Sequence, residues 1–480
     1  MQSTEANIST ANRVKPGAAA GQPFSSLTGL SAATLSNLQQ LGYQTMTPIQ
    51  AASLPLALAG TDLIAQARTG SGKTAAFALA LLSRLVPGDQ SVQALVLCPT
   101  RELADQVSVE LRRLARADSN IKVLTLCGGA PIRPQLASLA HGAHVVVGTP
   151  GRIIDHLQRE SLQLQALQTL VLDEADRMLD MGFFEDIAAV AKRCPSRRQT
   201  LLFSATYPPG VGKLAGALLR EPTEIKLDTV HAAGQIRQQF FEIGEAQRLH
   251  AVSLLLNHFR PVGTLAFCNT KQTCRELVQV LRAQGFSALE LHGDLDQRER
   301  DQVMVRFANR SCSVLVATDI AARGLDIAQL EAVINVEIAP DAATHLHRIG
   351  RTGRADADGW AFSLVGVDEM GRVGQLEVAH GFSTQWMSLD ALADTGTTPL
   401  RPPMTTLQIL GGRKEKIRAG DILGALTKDL GFAAADIGKI NVNDFSTYLA
   451  VRSAIADQVM KRLSAGKVKG RSIKLRILPV

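Results

Sequence analysis

The 480-residue sequence has few cysteines and no long apolar run, and both scarcities exclude classes of protein. The six cysteines are scattered without a C-x-x-C pair, so neither a zinc site nor a disulfide framework is indicated at Cys98, Cys127, Cys194, Cys268, Cys274 and Cys312. The apolar run from Phe77 to Leu82 is too short to span a bilayer, and the polar first twenty residues lack the apolar centre of a secretory signal. We therefore expect a soluble, cytoplasmic protein with reduced thiols.

The composition, 46% apolar and 20% charged, excludes a disordered protein or a small disulfide-stapled one. Positive charge is concentrated at one end of the chain. Residues 401–480 hold 15 Lys and Arg against 6 Asp and Glu, whereas the first 400 hold 36 against 38. A nearly neutral body with a basic C-terminal unit indicates a polyanionic partner, and nucleic acid is favoured over membrane because no amphipathic lipid-seeking helix accompanies the charge.

Short apolar runs alternate with longer helical patterns in two successive series, which is typical of doubly wound parallel sheets. The fold class predicted is therefore α/β, with two such domains in tandem. The first series of strand candidates is 62–65, 94–98, 123–126, 144–147, 170–172 and 200–203, and the second is 264–267, 288–291, 314–317, 333–336 and 361–365. In open parallel sheets ligands bind beyond the carboxyl ends of the strands, so we expect function on one edge of each sheet and in the cleft between them.

The last 80 residues have a different order of elements, strand–helix–strand–strand–helix–strand, which predicts a small βαββαβ module. Its candidates are strands at 405–410, 438–442, 447–451 and 472–478, with helices at 421–430 and 454–463. Pro, Gly and Thr clusters mark the boundaries. The predicted organisation is a disordered tail (1–22), an α/β domain (23–220), a linker (221–235), a second α/β domain (236–382), a second linker (383–403) and the C-terminal module (404–480).

A glycine-rich segment leads from the first strand of the first series into an apolar helix, and it reads Ala67, Arg68, Thr69, Gly70, Ser71, Gly72, Lys73, Thr74. Such glycines permit a tight turn that points backbone N–H groups at phosphate oxygens, while Lys73 can neutralise the β- and γ-phosphates and the Thr74 hydroxyl can ligate Mg²⁺. Ala67 stands where the general G-x-x-x-x-G-K-[ST] pattern has glycine. A glycine turn that only caps a helix is the alternative.

An acidic quartet, Asp173-Glu174-Ala175-Asp176, directly follows the apolar run at 170–172. One carboxylate at a strand end can hold Mg²⁺ while its neighbour orients and deprotonates the attacking water, so Asp173 and Glu174 are candidates for these two roles. A solvated helix cap is the alternative, which the phosphate loop disfavours.

A basic run from His347 to Arg354, with glycines at 350 and 353, lies in the second domain. Hydrolysis of a nucleoside triphosphate needs positive charge on the γ-phosphate in the transition state, and arginines from a second domain can supply it. We therefore assign a catalytic role to Arg351 and Arg354, with a solvated face or a nucleic-acid contact as the alternatives.

These segments and others in order make the chain resemble the DEAD-box RNA helicases over roughly residues 24–370. The matching positions are Phe24; Gly42-Tyr43; Thr47-Pro48-Ile49-Gln50; the phosphate loop; Pro99-Thr100-Arg101-Glu102-Leu103-Ala104; Gly128-Gly129; Thr149-Pro150-Gly151-Arg152; residues 173–176; Ser204-Ala205-Thr206; Phe267-Cys268-Asn269-Thr270; Gln297 and Arg300; Ala317-Thr318-Asp319; Arg323-Gly324-Leu325-Asp326; and residues 347–354. The resemblance implies two RecA-like domains, ATP and Mg²⁺ as cofactors, and RNA as the partner.

The resemblance also assigns roles to individual residues. Gln50 is expected to read the adenine, with Phe24 and Tyr43 packed near the base, and Asp326 to contact the ribose. The residues expected to couple hydrolysis to the RNA-binding face are Asp176, Ser204, Thr206 and His347. Those expected to hold the sugar-phosphate backbone of one RNA strand, without reading its bases, are Arg101, Gly129, Thr149, Gly151, Arg152, Thr270, Arg300, Thr318 and Arg323. Two departures from the family pattern, Met46 for Pro and His345 for Tyr, remove no ligand.

The C-terminal module is similar to the specificity domain of the DbpA subfamily, through Gly411-Gly412-Arg413-Lys414, residues 420–427, residues 437–440 and residues 466–470. That resemblance implies binding to a hairpin of 23S ribosomal RNA and a role in assembly of the large ribosomal subunit. The module looks like an RNA-recognition fold with a depleted aromatic platform, because Tyr448 is the only aromatic residue on the expected central strand. Tyr448 could equally be a core residue. Binding should then depend on cations, among them Arg413, Lys414, Lys416, Lys467, Lys469 and Arg471.

The mechanism expected is closure of the two α/β domains by ATP and RNA, which bends one RNA strand, expels its partner and is reset by hydrolysis. We expect a monomer that separates short duplexes locally and does not bind membranes. The alternatives are an ATP-gated RNA clamp or annealing scaffold with incidental turnover, and a DNA helicase.

Overall fold

The computed structural model describes residues 13–14, 21–67, 70–117, 120–227, 236–322, 330–353, 358–381, 383–392, 398–466, 468 and 472–478. These residues form two compact units, the first with one sheet and the second with two. No helix among them is both long and apolar enough to cross a membrane.

The first unit is a parallel sheet with helices on both faces. Its eight strands are β1 (Arg13–Val14), β2 (Leu63–Gln66), β3 (Ala94–Leu97), β4 (Val123–Leu126), β5 (Val145–Gly148), β6 (Thr169–Leu172), β7 (Gln199–Ser204) and β8 (Thr223–Lys226), in the order β1-β8-β2-β7-β6-β3-β5-β4. Its helices are α1 (Ala32–Gln40), α2 (Pro48–Leu58), α3 (Lys73–Leu82), α4 (Arg101–Leu114), α5 (Ile132–Leu139), α6 (Pro150–Gln158), α7 (Ala175–Asp180), α8 (Phe184–Lys192) and α9 (Pro209–Leu218).

The central strands are apolar along their whole length because helices cover both sides. All four residues of β3 and of β6 are buried. Successive side chains point to opposite faces, so Val96 belongs to one core and Leu95 and Leu97 to the other. Gly148 ends β5 and can only be glycine, because a Cβ there would collide with the carbonyl oxygen of Leu126 on β4.

The second unit opens with another parallel sheet. Its strands are β9 (Ile236–Glu242), β10 (Thr264–Cys268), β11 (Ala288–Leu291), β12 (Val314–Thr318), β13 (Ala332–Asn335), β14 (Gly359–Val365) and β15 (Trp386–Met387), in the order β11-β12-β10-β13-β14-β9-β15. Its helices are α10 (Arg248–Phe259), α11 (Lys271–Ala283), α12 (Gln297–Ala308), α13 (Asp319–Ala322), α14 (Ala342–Ile349) and α15 (Met370–His380). The predicted pair of doubly wound sheets is confirmed.

The C-terminal module also has the predicted βαββαβ order. Its strands β16 (Met404–Ile409), β17 (Ile437–Val442), β18 (Thr447–Arg452) and β19 (Leu475–Ile477) form an antiparallel sheet in the order β17-β18-β16-β19. Helices α16 (Ala419–Gly424) and α17 (Ala456–Ala465) connect them, and a wider turn at Ala425–Asp429 continues α16. Leu407, Leu449 and Val451 point into the core between sheet and helices.

The opposite face of this sheet packs on the second α/β domain. Thr406 is 1% exposed, and its hydroxyl accepts from Asn309 Nδ2 at 3.1 Å and lies 2.6 Å from Ser311 Oγ. Asn309 and Ser311 follow α12, and the backbone N–H of Met404 donates to the carbonyl of Arg310. The module and the second domain are therefore joined through side chains as well as through the chain.

Three strands lie in segments that the sequence predicts as linkers or as a tail. The predicted linker 221–235 contains β8, which pairs with β2, and the predicted linker 383–403 contains β15, which pairs with β9. In the predicted disordered tail, Arg13–Val14 pairs with β8, whereas residues 1–12 and 15–20 lie outside the described residues. Strands β8 and β15 are only partly buried and tolerate mixed polarity, so their sequences lack the apolar run that marks a fully buried strand.

Candidate nucleotide and RNA site

The phosphate loop turns directly from β2 into α3. Gly72 precedes the helix with φ of 94°, a left-handed conformation that favours glycine, and a Cβ there would come 2.6 Å from Gln50 Nε2. Lys73 is buried, and its ammonium donates to the carbonyl of Ala67 at 2.8 Å, so it closes the loop on itself. Ala67, Gly70, Ser71 and Thr74 are described, while the predicted contacts Arg68 and Thr69 lie outside the described residues.

Gln50 ties the start of α2 to this loop. Its side-chain carbonyl accepts from the backbone N–H of Thr47 at 2.9 Å, and its amide donates to the carbonyl of Gly72 at 3.2 Å. A buried amide fixed at both ends presents a defined hydrogen-bonding edge beside the phosphate loop. This placement fits the predicted role of Gln50 as a reader of the base.

The two aromatic residues predicted to pack near the base lie together. Phe24 and Tyr43 meet edge to face with ring centroids 6.1 Å apart. The Tyr43 hydroxyl donates to Glu110 of α4 at 2.5 Å, and burial, followed by this carboxylate, raises the pKa of Tyr43 well above its ordinary value. The Tyr43 hydroxyl therefore anchors the segment before α2, and its ring remains available for packing.

Asp173 ends β6 as a buried carboxyl group. Burial raises its pKa from the ordinary 3.8 to about 7, against the opposing effect of the Lys73 ammonium. Its Oδ1 is buried and has no hydrogen-bond partner among the described residues. An orphaned carboxylate oxygen beside a phosphate-binding lysine suits a divalent cation or a water bound to one, so Asp173 and Thr74 fit the predicted Mg²⁺.

Glu174 is held by a residue that the sequence reasoning missed. It adopts φ of 52° and ψ of 54°, and its carboxylate accepts from Arg177 at 2.7 Å, with both side chains nearly inaccessible to solvent. The signal in the sequence that could have indicated this ion pair is the basic residue Arg177, one helical turn after the candidate base Glu174. The ion pair fixes the direction of the carboxylate that is predicted to orient water.

Asp176 links the acidic quartet to the segment after β7. Its carboxylate accepts from the backbone N–H of Thr206 at 2.9 Å and from the Thr206 hydroxyl at 2.8 Å. The Ser204 hydroxyl accepts from the backbone N–H of Asp176 at 3.3 Å and donates to the carbonyl of Thr206 at 2.6 Å. Three of the four predicted coupling residues therefore form one hydrogen-bonded cluster.

The predicted RNA contacts of the first unit follow the carboxyl ends of β3, β4 and β5. Arg101 begins α4, Gly129 takes φ of 74°, and Thr149 precedes α6, with Gly151 in its first turn. A Cβ at Gly151 would meet nothing within 4 Å, so its backbone can be approached closely. The structure brings these residues to one edge of the sheet, as expected for parallel strands.

Arg152 differs from the simple expectation of a free phosphate ligand. Its guanidinium donates to the carbonyl of Ala130 at 3.1 Å and to the side chain of Gln135 at 3.0 Å. Arg152 therefore stabilises the loop that contains Gly129 and Ala130.

Arg348 is the centre of the second unit's network, and the sequence reasoning did not single it out. It is 1% exposed and donates to both carboxylate oxygens of Asp319 and to the Asn269 side-chain oxygen, each at 2.7 Å. It also donates to the carbonyl of Glu337 at 2.7 Å and lies over the ring of Phe267. Its acidic partner, Asp319, directly follows β12 and begins α13. An acidic residue in that position was the signal in the sequence that could have indicated a buried partner for Arg348.

The remaining predicted residues of this unit are distributed over several of its helices and strands. Thr270 caps α11, Thr318 ends β12, and Arg300 of α12 donates to the carbonyl of Ala321 at 3.5 Å. His347 lies on α14, and Arg351 follows the helix. Arg323, Asp326 and Arg354 lie outside the described residues.

In the C-terminal module, Arg413, Lys414 and Lys416 lie in one exposed turn. Lys467, Lys469 and Arg471 lie outside the described residues. Tyr448 is 4% exposed, and its hydroxyl accepts from Gln408 Nε2 at 3.3 Å. Of the two interpretations of Tyr448, the buried one is correct.

Three family models match the chain in order. The DEAD/DEAH box helicase model matches residues 47–214, the helicase conserved C-terminal domain model matches 247–356, and the DbpA RNA binding domain model matches 406–477. Each helicase model lies within one of the two parallel-sheet domains, and the third model covers nearly all of the antiparallel module.

Relatives and solved structures extend this similarity. The chain is 51% identical to the ATP-dependent RNA helicase DbpA of Escherichia coli over 95% of this chain and 99% of the relative. It is 42% identical to the DEAD-box ATP-dependent RNA helicase CshA of Geobacillus kaustophilus over 73% of this chain and 75% of the relative.

Among solved structures, Saccharomyces cerevisiae Dbp5 bound to RNA and ADP BeF3 matches with a TM-score of 0.71 and 31% identity, over 77% of this chain and 96% of that one. Mss116p bound to ssRNA and AMP-PNP matches with a TM-score of 0.70 and 26% identity, over 78% and 81%. The two α/β domains are RecA-like, as the resemblance implied. The chain belongs to the DEAD-box RNA helicases, in the DbpA subfamily, and is an ATP-hydrolysing, RNA-binding enzyme of that family.

Proposed function

We propose that this chain uses Mg²⁺-bound ATP to separate short RNA duplexes locally, and that its C-terminal module directs it to a hairpin of 23S ribosomal RNA during assembly of the large subunit. It would act as a monomer in the cytoplasm. The observation that carries the enzymatic part is the buried Asp173 carboxyl, which lies within electrostatic reach of Lys73 and has one oxygen with no partner in the described parts of the chain.

In this proposal Lys73 leaves the carbonyl of Ala67 and binds the phosphates of ATP, while Thr74 and Asp173 hold Mg²⁺. The cation neutralises phosphate charge when it is bound. Glu174 orients the attacking water and takes its proton, and the ion pair with Arg177 supports this orientation because it limits the directions open to the carboxylate. Arg351 and Arg354 supply positive charge to the γ-phosphate when domain 236–382 closes on domain 23–220.

Coupling to RNA runs through the cluster of Asp176, Ser204 and Thr206, with His347 joining from the second domain. The cluster supports this role because it connects Asp176, two residues after the candidate base, to the segment that follows β7. The predicted RNA contacts, Arg101 to Arg152 in the first domain and Thr270 to Arg323 in the second, hold the backbone of one strand. Bending that strand is incompatible with a continuous duplex.

The targeting part rests on the subfamily of the module and on its exposed cations at 413, 414 and 416. Phosphate contacts by such cations give strong salt dependence.

Phosphate release separates the coupled enzyme from an ATP-gated clamp. The rate is measured with no RNA, with a large-subunit ribosomal RNA fragment, and with random RNA of equal length. We expect the ribosomal fragment to stimulate release most, and Glu174→Gln to abolish release while ATP and RNA still bind. A rate that is insensitive to RNA would support the clamp, and equal stimulation by both RNAs would refute targeting.

A further inference from the structure

The face of the module's sheet that carries the aromatic platform in RNA-recognition folds is covered in this chain. Thr406, Gln408, Tyr448 and Ala450 share that face, and each is at most 4% exposed. Thr406 is bonded to Asn309 and Ser311 of the second α/β domain. RNA therefore cannot stack on this part of the sheet without detaching the module.

The exposed turn at 413–416 and the hairpin tip at 443–446 form a second surface, which we name the basic edge. The backbone N–H of Arg413 donates to the carbonyl of Asn443 at 2.8 Å, and that of Lys414 to the carbonyl of Asp444 at 3.0 Å. Gly412 allows this approach, because a Cβ there would collide with the carbonyl of Asn443. The two segments are thus held together by backbone contacts.

Further hydrogen bonds fix each half of the basic edge. Glu415 accepts from the backbone N–H of Gly412 at 2.7 Å, which closes the turn. The backbone N–H of Asn443 donates to the carbonyl of Ser446 at 2.8 Å, and the Thr447 hydroxyl donates to the carbonyl of Gly411 at 2.9 Å. A surface with this backbone support can present side chains in a defined arrangement.

Phe445 is the side chain that this surface presents to solvent. It is 70% exposed at the hairpin tip, beside a turn that carries Arg413, Lys414 and Lys416. An exposed aromatic ring beside a basic turn suits a nucleobase, because every base offers a face for stacking while the cations of the turn can bind the flanking phosphates. Bases within a duplex are already stacked on both sides, so the ring selects an unpaired base.

We propose that the basic edge is the RNA-recognition surface of the module and that Phe445 stacks on an unpaired base of a hairpin loop. Arg413, Lys414 and Lys416 bind the phosphates on either side of that base. This inference rests on the proposed function, and it names the surface and the structural class of RNA. A protein partner that accepts the Phe445 ring is less favoured, because the turn beside it carries Arg413, Lys414 and Lys416, with Arg413 also 3.7 Å from the Asp444 carboxylate.

The test uses the full-length chain and a ribosomal RNA hairpin with 2-aminopurine at one loop position at a time. Stacking on Phe445 should quench one position, and Phe445→Ala should remove that quench and weaken hairpin binding about 5- to 150-fold. Phe445→Trp should retain both. Val378→Ala is the matched control, since Val378 is 87% exposed on α15 in the other domain of the unit, and it should bind as the parent does.

A second pair of measurements separates stacking from charge. Phe445→Ala should leave binding to a blunt duplex of equal length unchanged, whereas Lys414→Ala should weaken both RNAs and reduce the slope of log affinity against log salt by about 0.7 to 1.

Unchanged hairpin affinity in Phe445→Ala would overturn the inference, as would equal weakening of binding to the hairpin and to the duplex. It would also be overturned if Phe445→Ala lost binding to a protein partner while RNA binding stayed intact. If the inference is overturned in one of these ways but RNA still stimulates the ATPase activity of the parent protein, the proposed function stands. If no RNA stimulates the parent protein, the proposed function itself fails.

Discussion

Arg348 should contribute more to the stability of the second α/β domain than any surface ion pair of that domain, and Arg348→Met tests this expectation. Methionine keeps most of the length and removes the charge. The substitution deletes five hydrogen bonds, two of them to the Asp319 carboxylate. Breaking a buried ion pair from one side costs about 3–5 kcal/mol. The Asp319 side chain is 20% exposed, so water recovers part of the loss, and we expect about 3 kcal/mol.

Tryptophan fluorescence during urea unfolding reports on this domain, because the two tryptophans of the chain are Trp360 and Trp386. Arg275→Met is the matched control. Arg275 pairs with Asp294 in the same domain, but the two side chains are 41% and 44% exposed, so the loss should be about 0–1 kcal/mol.

A double-mutant cycle isolates the Arg348–Asp319 pair. Arg348→Met with Asp319→Asn should cost clearly less than the sum of the single changes, because the double variant leaves no unpaired carboxylate. ATP turnover should fall in Arg348→Met, since the residue ties the segments after β10, β12 and β13 to α14. A loss under about 1 kcal/mol together with additive single changes would refute the reasoning.

Three further predictions concern the first domain and the module. Burial raises the pKa of Asp173 from 3.8 to about 7, so the folded nucleotide-free protein binds this proton more tightly than the unfolded chain does. The free energy of unfolding should therefore fall by on the order of 4 kcal/mol as the pH rises from about 4 to 8. Asp173→Asn should remove this pH dependence from urea unfolding followed by circular dichroism, and persistence of the full dependence would assign it to other groups. Arg177→Met should lower kcat for ATP with little change in KM, with partial recovery in Arg177→Lys, whereas an equal effect on both constants would mean that Arg177 acts in ATP binding. Thr406→Val should leave Ser311 without its partner and loosen the module, at a cost of about 1–3 kcal/mol; hydrogen exchange at β16 measures this, and unchanged exchange would show that packing alone holds the junction.

The sequence alone was sufficient for the apolar strands of both parallel sheets. The predicted bounds of β4 and β11 are those of the structure, and the other predicted strands differ by one or two residues. These segments are apolar runs bounded by polar residues, because helices bury both faces of a parallel sheet. The strands β8, β9 and β15 were missed, because each is only partly buried and lacks a continuous apolar run.

The candidate site shows the same division at the level of side chains. Residue type and spacing selected Lys73 and Asp173 as candidates, because phosphate binding and metal binding each need particular atoms after a strand, whereas the role of Asp176 came from the family resemblance. They could not indicate that Arg152 donates to Ala130.

The sequence by itself determined the order of domains, the apolar strands and the chemistry available after each strand, because all of these depend on local patterns of polarity. Only the tertiary structure decided which partners the arginines take, that one Asp173 oxygen has no partner among the described residues and that Tyr448 is covered. Those outcomes depend on residues far apart in the chain, such as Thr406 and Ser311, whose contact no local pattern records.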